Sequence, residues 1–119
     1  MGYKDNDNPL LVKSKKFAIR IIKMVQHIRI IWKEYTLSDQ ILRSGTSIGA
    51  NSTEGVHAAS KADFYAKLNI AYKEATETQY WLELLVATDY LTSEEYDSMS
   101  KDCNELVAML AAITKTQKQ

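Results

Sequence analysis

Apolar residues recur at three- and four-residue intervals through almost the whole 119-residue chain, a pattern that predicts four α-helices and no strand. The first helix covers about 10–35, beginning after Asn8-Pro9. Phe17, Ile21, Met24, Val25, Ile28 and Trp32 form one apolar face along it. Ile19, Ile22 and Ile30 lie outside that face. A helix with two apolar surfaces buries one in its own bundle and the other against a partner, so this helix predicts an oligomer. The second helix covers about 38–58, with Ser38 or Thr36 as N-cap.

The third helix, about 61–88, opens with Ser60 as cap and with Asp63 at the positive end of the helix dipole. Phe64, Leu68, Ala71, Ala75, Thr78, Leu82 and Leu85 give it the seam of a bundle helix. The fourth, about 93–114, starts at a capping box, Thr92-Ser93-Glu94-Glu95, and carries Tyr96, Met99, Cys103, Leu106, Leu110 and Ile113 on one side. The polar tail from Thr114 to Gln119 is expected to fray. Short connections favour antiparallel neighbours. The predicted architecture is therefore an all-α, up-down-up-down antiparallel four-helix bundle, one domain over residues 1–119.

The second helix holds an unusual stretch, RSGTSIGANSTEG, from Arg43 to Gly55. Helical spacing splits it in two. Arg43, Ser47, Asn51 and Glu54 fall within a sector of about 80°. Ile41, Gly45, Ile48, Ser52, Val56 and Ala59 fall on the other side. Each glycine inside a helix costs roughly 1 kcal/mol relative to alanine, so Gly45, Gly49 and Gly55 need a compensating close approach by a neighbouring helix. A phosphate-cradling loop is the alternative, but the stretch lacks the lysine and the strand-to-helix setting of a P-loop. The polar row either binds a ligand or pairs with polar groups of another helix or subunit. Glu74 and Glu77, one turn apart on the third helix, are the expected partners of Arg43, and the row is read as a lock on packing and oligomer state.

Composition narrows the chemistry. Four glycines and one proline supply too few turns for a β-sandwich. The single cysteine, Cys103, excludes an internal disulfide framework and a cysteine zinc cluster, and its register makes it a core residue. No run is apolar enough to span a membrane and no signal-peptide pattern opens the chain, so a cytoplasmic location is expected and the Asn51-Ser52-Thr53 sequon carries little weight. Glu54-Gly55-Val56-His57 has the Glu-x-x-His spacing of a di-iron bundle, which needs two such pairs; only one is present, so no metal and no cofactor is expected. No serine stands in a nucleophile elbow, and His27 and His57 belong to different helices, so no catalytic residue is assigned. Tyr65, Tyr72, Tyr80 and Trp81 read as core and interface packing.

Net charge is zero, but residues 10–35 carry seven Lys and Arg against one Glu, whereas 92–119 carry three against five acidic residues. Lys13, Lys16, Arg20, Lys23 and His27 lie within about 80° of one another on the first helix. Such a stripe can neutralise successive phosphates of RNA or DNA, and its ordinary reading is a solvated face. No aromatic residue interleaves with it to read bases.

The segment RSGTSIGANSTEG, followed by SKADFYAKLNIAYKEATETQYWLELL, resembles the 23S rRNA-intervening sequence proteins. The resemblance runs from about Phe17 to Leu85, with the right spacing into a fourth helix. It rests on Arg43, Ser44, Gly45, Ser47, Ile48, Asn51, Glu54 and Gly55, and then on Asp63, Phe64, Lys67, Leu68, Ala71, Glu74, Glu77, Tyr80 and Trp81. It implies a small bacterial four-helix bundle, assembled as a homopentamer, with no catalytic role for any matched position. A related branch, the accessory variability proteins of diversity-generating retroelements, engages reverse transcriptase and nucleic acid through a basic surface. The chain departs from the pattern at Ser52-Thr53, and from the basic branch in its zero net charge. The combined expectation is a non-enzymatic homo-oligomer that contacts RNA or DNA backbone through the first-helix stripe. The alternative is a protein-interaction scaffold with a protein partner and no nucleic acid.

Overall fold

The computed structural model describes residues 7–118, with the side chain of Lys118 left aside. Four helices account for nearly all of it: α1 (Pro9–Trp32), α2 (Thr36–Val56), α3 (Lys61–Ala87) and α4 (Ser93–Lys115), followed by a 3-10 turn, Thr116–Lys118. No strand occurs among the described residues.

Local chemistry sets the boundaries. The Asn8 side chain accepts from the backbone N–H groups of Leu10 (3.0 Å) and Leu11 (3.3 Å), and Pro9 occupies the first helical position, where its missing N–H costs nothing. α1 ends three residues before the expected Tyr35, because Lys33 adopts a left-handed conformation (φ 54°) and its N–H closes on the Arg29 carbonyl. α2 then starts at Thr36, and neither Thr36 nor Ser38 caps it. Tyr35 holds the cap position without a side-chain bond, and the Glu34 carboxylate does the work, accepting from the N–H groups of Leu37 (2.9 Å) and Ser38 (2.8 Å). Ser60 caps α3 as expected, accepting from Asp63 N–H at 3.1 Å. Thr92 and Glu95 form the reciprocal capping box of α4.

Cross-helix contacts fix the directions. Gly45 lies on Ile21 and Gly49 on Ser14; Gly55 lies on Leu68 and Ser44 on Thr78; Ala75 faces Cys103 and Tyr65 faces Thr116. In each pair of consecutive helices, later residues of one meet earlier residues of the other, so neighbours run antiparallel. α4 closes on α1 through Lys13–Glu105 and Arg20–Asp102. The bundle measures 45 × 25 × 22 Å.

The core runs along the axis through Phe17, Ile21, Val25 and Ile28 of α1, Ile41 and Ile48 of α2, Leu68, Leu82 and Leu85 of α3, and Met99, Cys103, Leu106 and Leu110 of α4. These are the seams that the periodicity predicts, with one correction. Trp32 is half exposed at the end of α1, where its ring meets Tyr90 edge-on at 5.8 Å. The tail is also more ordered than its polarity suggests. Tyr65 and Asn69 of α3 hydrogen-bond Thr116 and Gln117, extending the packed structure to Lys118, while Gln119 lies outside the described residues.

Candidate assembly and nucleic-acid surfaces

Three turns of α1 face outward and carry two kinds of side chain. Ile19, Ile22 and Ile30, set apart from the core face by their spacing, are 45%, 39% and 69% exposed. Beside them run the five residues of the basic stripe, which the fold divides. Lys13 pairs with Glu105 of α4 at 2.7 Å. Arg20 pairs with Asp102 at 2.6 Å and also donates to the Ser98 hydroxyl (2.7 Å) and carbonyl (3.3 Å). These two cations therefore clamp α1 to α4. Lys16, Lys23 and His27 remain exposed on the outer side. Lys23 and His27 line a groove of about 500 Å³ at the α1–α4 seam, floored by Met24, Leu91 and Met99 and edged by Glu94 and Glu95.

The α1–α2 side holds a larger groove, about 800 Å³. Leu11, Val12, Lys15 and Ile19 form one wall and Thr46, Gly49, Ala50 and Thr53 the other. Thr46 and Thr53 turn their hydroxyls onto the carbonyls of Leu42 and Gly49, both at 2.7 Å, so their hydrogen-bonding needs are met within the helix.

The polar row on α2 is half-buried to exposed and largely satisfied by its own helix. Ser47 donates to the Arg43 carbonyl (2.6 Å), and Asn51 donates to the Ser47 carbonyl (2.9 Å). Glu54 crosses to α3 and pairs with Lys67 at 2.8 Å. Arg43 does approach Glu74. Burial holds the Glu74 carboxyl above its usual value of 4.5 and the adjacent Glu77 adds to that rise, while Arg43 and then Lys73 pull it back down. Glu77 accepts from the Trp81 indole N–H at 3.2 Å. Trp81 is half-buried, whereas Tyr80, stacked edge-on against it at 5.2 Å, is 53% exposed and not a core residue.

The three glycines do what the helix cost requires. A Cβ on Gly45 would stand 2.8 Å from Ile21 Cγ1, and one on Gly55 would stand 2.3 Å from Leu68 Cδ2. Gly49 is looser, its nearest neighbour being the Ser14 hydroxyl at 3.2 Å.

Among the described residues no group of three or more His, Cys, Asp or Glu side chains is placed to hold a metal ion, and the Glu54 carboxylate pairs with Lys67. Cys103 is fully buried with its thiol against the Ala75 carbonyl, and burial pushes its pKa up to about 12. No helix of the described residues is long and apolar enough to cross a membrane.

Sequence reasoning missed the acceptors on α4. Ser98, Asp102 and Glu105 recur at four-three spacing and match Lys13 and Arg20, seven residues apart, but only the adjacency of α1 and α4 reveals the match. It also missed the hairpin lock, in which Arg29 donates to the Ser38 hydroxyl (3.0 Å) and pairs with Asp39.

A family model described as 23S rRNA-intervening sequence protein matches residues 6–112. Among solved structures the chain is similar to a protein of unknown function from the S23 ribosomal protein family of Bacteroides thetaiotaomicron VPI-5482. The two share 51% identity over 89% of this chain and 98% of that one, with a TM-score of 0.87. No curated protein matches the chain.

Proposed function

The chain belongs to the 23S rRNA-intervening sequence protein family, and from that premise we propose a cytoplasmic, homo-oligomeric scaffold without catalytic chemistry that contacts nucleic-acid backbone through α1. One observation carries this reading: the outer surface of α1 presents an exposed isoleucine row next to exposed Lys16, Lys23 and His27. Large apolar side chains at regular helical spacing on a surface mark a protein contact, and the cations beside them suit phosphates. A pentamer, as the family resemblance implies, repeats the short cationic row on every copy. Repetition turns a weak contact per copy into useful avidity.

The test is binding to structured RNA followed by fluorescence anisotropy across a salt series. Two phosphate contacts per copy lower affinity roughly tenfold between 50 and 200 mM salt, and more when several copies engage one RNA. Lys16→Glu with Lys23→Glu removes the binding. An absence of binding at low salt, or binding indifferent to these changes, overturns the nucleic-acid reading.

The alternative, a protein-interaction scaffold without nucleic acid, draws on a specific observation as well. Lys13 and Arg20 are bound to α4 carboxylates, so the free cationic row is shorter than the sequence stripe. Recovery of one defined protein partner from nuclease-treated lysate, together with failed RNA binding, favours it.

A further inference from the structure

We infer that the groove between α3 and α4 lined by Tyr80, Glu83 and Tyr96 binds a primary ammonium group, carried by a small amine or by a lysine side chain. The site stands apart from the α1 surface and does not depend on the nucleic-acid reading above.

Two short rows of side chains build it. On α3, Thr76, Gln79, Tyr80 and Glu83 recur at three- and four-residue intervals within an arc of about 100°. On α4, Tyr96, Ser100 and Asn104 recur every fourth residue within about 80°. The space between them is about 410 Å³. An amide bridge crosses it, Gln79 Nε2 donating to Asn104 Oδ1 at 2.7 Å, and Asn104 Nδ2 reaches the Ser100 hydroxyl at 3.4 Å. Helical rise sets the order along the groove. Because the two helices run antiparallel, Glu83, one turn beyond Gln79, comes level with Ser100, about 6 Å from the bridge. Tyr96 stands roughly another 6 Å along α4.

Charge selects the ligand. Glu83 carries the formal charge of this lining, and neither lysine nor arginine joins it there. Among the described residues Glu83 has no ion pair and no hydrogen bond. An anion, phosphate included, meets that carboxylate at close range and is repelled. A neutral ligand that covers it strips water from a charge without replacing the lost interaction. A cation replaces it. The amides and hydroxyls around Glu83 offer both donors and acceptors, so they are indifferent to the sign of the ligand.

The tyrosines make the cation an organic one. Tyr80 is 53% exposed, and its edge-on contact with Trp81 at 5.2 Å holds the ring. Tyr96 is half-buried against the core. Ring faces attract an ammonium and pack against the methylenes that carry it. A divalent metal ion draws on several oxygen ligands, and a single carboxylate is a poor match for it. An open ring face and an open carboxylate each contribute a few-fold in affinity, so binding is on the order of millimolar.

Amide chemical shifts of isotope-labelled protein test the site with four probes at matched ionic strength: butylammonium, N-acetyl-lysine methylamide, methyl glucoside and butyrate. Both ammonium probes give saturable shifts at residues 76–83 and 96–104, and the glucoside and butyrate give none. A tighter lysine probe assigns the ammonium to a peptide; equal or tighter butylammonium assigns it to a free amine. Glu83→Gln and Tyr80→Leu, both at exposed positions, keep the wild-type circular dichroism and each weaken ammonium binding about two- to fivefold. Four results each overturn the proposal: no saturable shift with either ammonium probe at its solubility limit, shifts confined to other surfaces, equal binding of the glucoside, or an affinity indifferent to both substitutions.

Discussion

The hydroxyls of Ser44 on α2 and Thr78 on α3 lie 2.8 Å apart, both sealed from solvent. The Glu74 carbonyl stands 2.8 Å from Thr78 Oγ1, and the Ile41 carbonyl stands 3.5 Å from Ser44 Oγ. Two hydroxyl hydrogens thus serve one bond between helices and one within a helix. Removing one partner leaves the other with a different fate. Ser44→Ala leaves Thr78 its short bond to Glu74 and costs about 1 kcal/mol, whereas Thr78→Val leaves Ser44 with only the long contact and costs about 1–3 kcal/mol. The double variant recovers part of that loss. A double-mutant cycle by urea denaturation measures the coupling, and an additive result rules out the bridge.

Alanine substitutions rank the three glycines of α2 by depth. Alanine gains roughly 1 kcal/mol over glycine in a helix interior. At Gly45 the new methyl meets Ile21, a stiff β-branched side chain with three atoms within 3.2 Å and no exposure. At Gly55 it meets Leu68 at 2.3 Å in a filled core. Both variants lose a net 1–2 kcal/mol, because overpacking outweighs the helical gain. Gly49→Ala sets its methyl 3.2 Å from the hydroxyl of the buried Ser14, the mildest of the three contacts, and loses the least. Thermal melts of the three variants check the order.

The start of α2 depends on a side chain outside it. Glu34→Ala strands two N–H groups of the first turn and lowers stability by about 1 kcal/mol, and Glu34→Asp, one methylene shorter, does not restore it. Thr36→Ala, at the position the sequence pattern favours, has no comparable effect. Chemical denaturation of the three variants checks the order, and a larger loss at Thr36 contradicts it.

Cys103 is predicted to be inert while the protein is folded. With its pKa raised to about 12 by burial, almost no thiolate exists at pH 8, and the sulfur has no path to reagent. Iodoacetamide labels it only as fast as the chain opens, so labelling follows denaturant concentration. A raised thiol pKa also gives stability that is complete below the unfolded value of 9.0 and is lost as pH climbs toward about 12. Alkaline melts of wild type and Cys103→Ala compare that loss; the alanine variant lacks it.

Helix number, seams and three of the four helix starts were legible because periodicity and capping are local. Asn8, Ser60 and the Thr92–Glu95 box act within four residues of their own position. The start of α2 was not, since Glu34 is a poor cap by residue type and acts from just after the left-handed turn at Lys33, outside the helix it serves. The basic stripe shows the same limit at the candidate site. Spacing placed its five residues on one side of α1, yet Lys13 and Arg20 find their carboxylates 92 and 82 positions away.

By itself the sequence determined an all-α bundle, its core faces, its family and the presence of a second apolar surface on α1, all of which follow from 3.6-residue periodicity and quoted motifs. Only the tertiary structure decided which cations stay outward, how deep each glycine is buried and which carboxylates of α4 meet α1. Those depend on which helices become neighbours, and contacts across a bundle are set by packing, which no local spacing encodes.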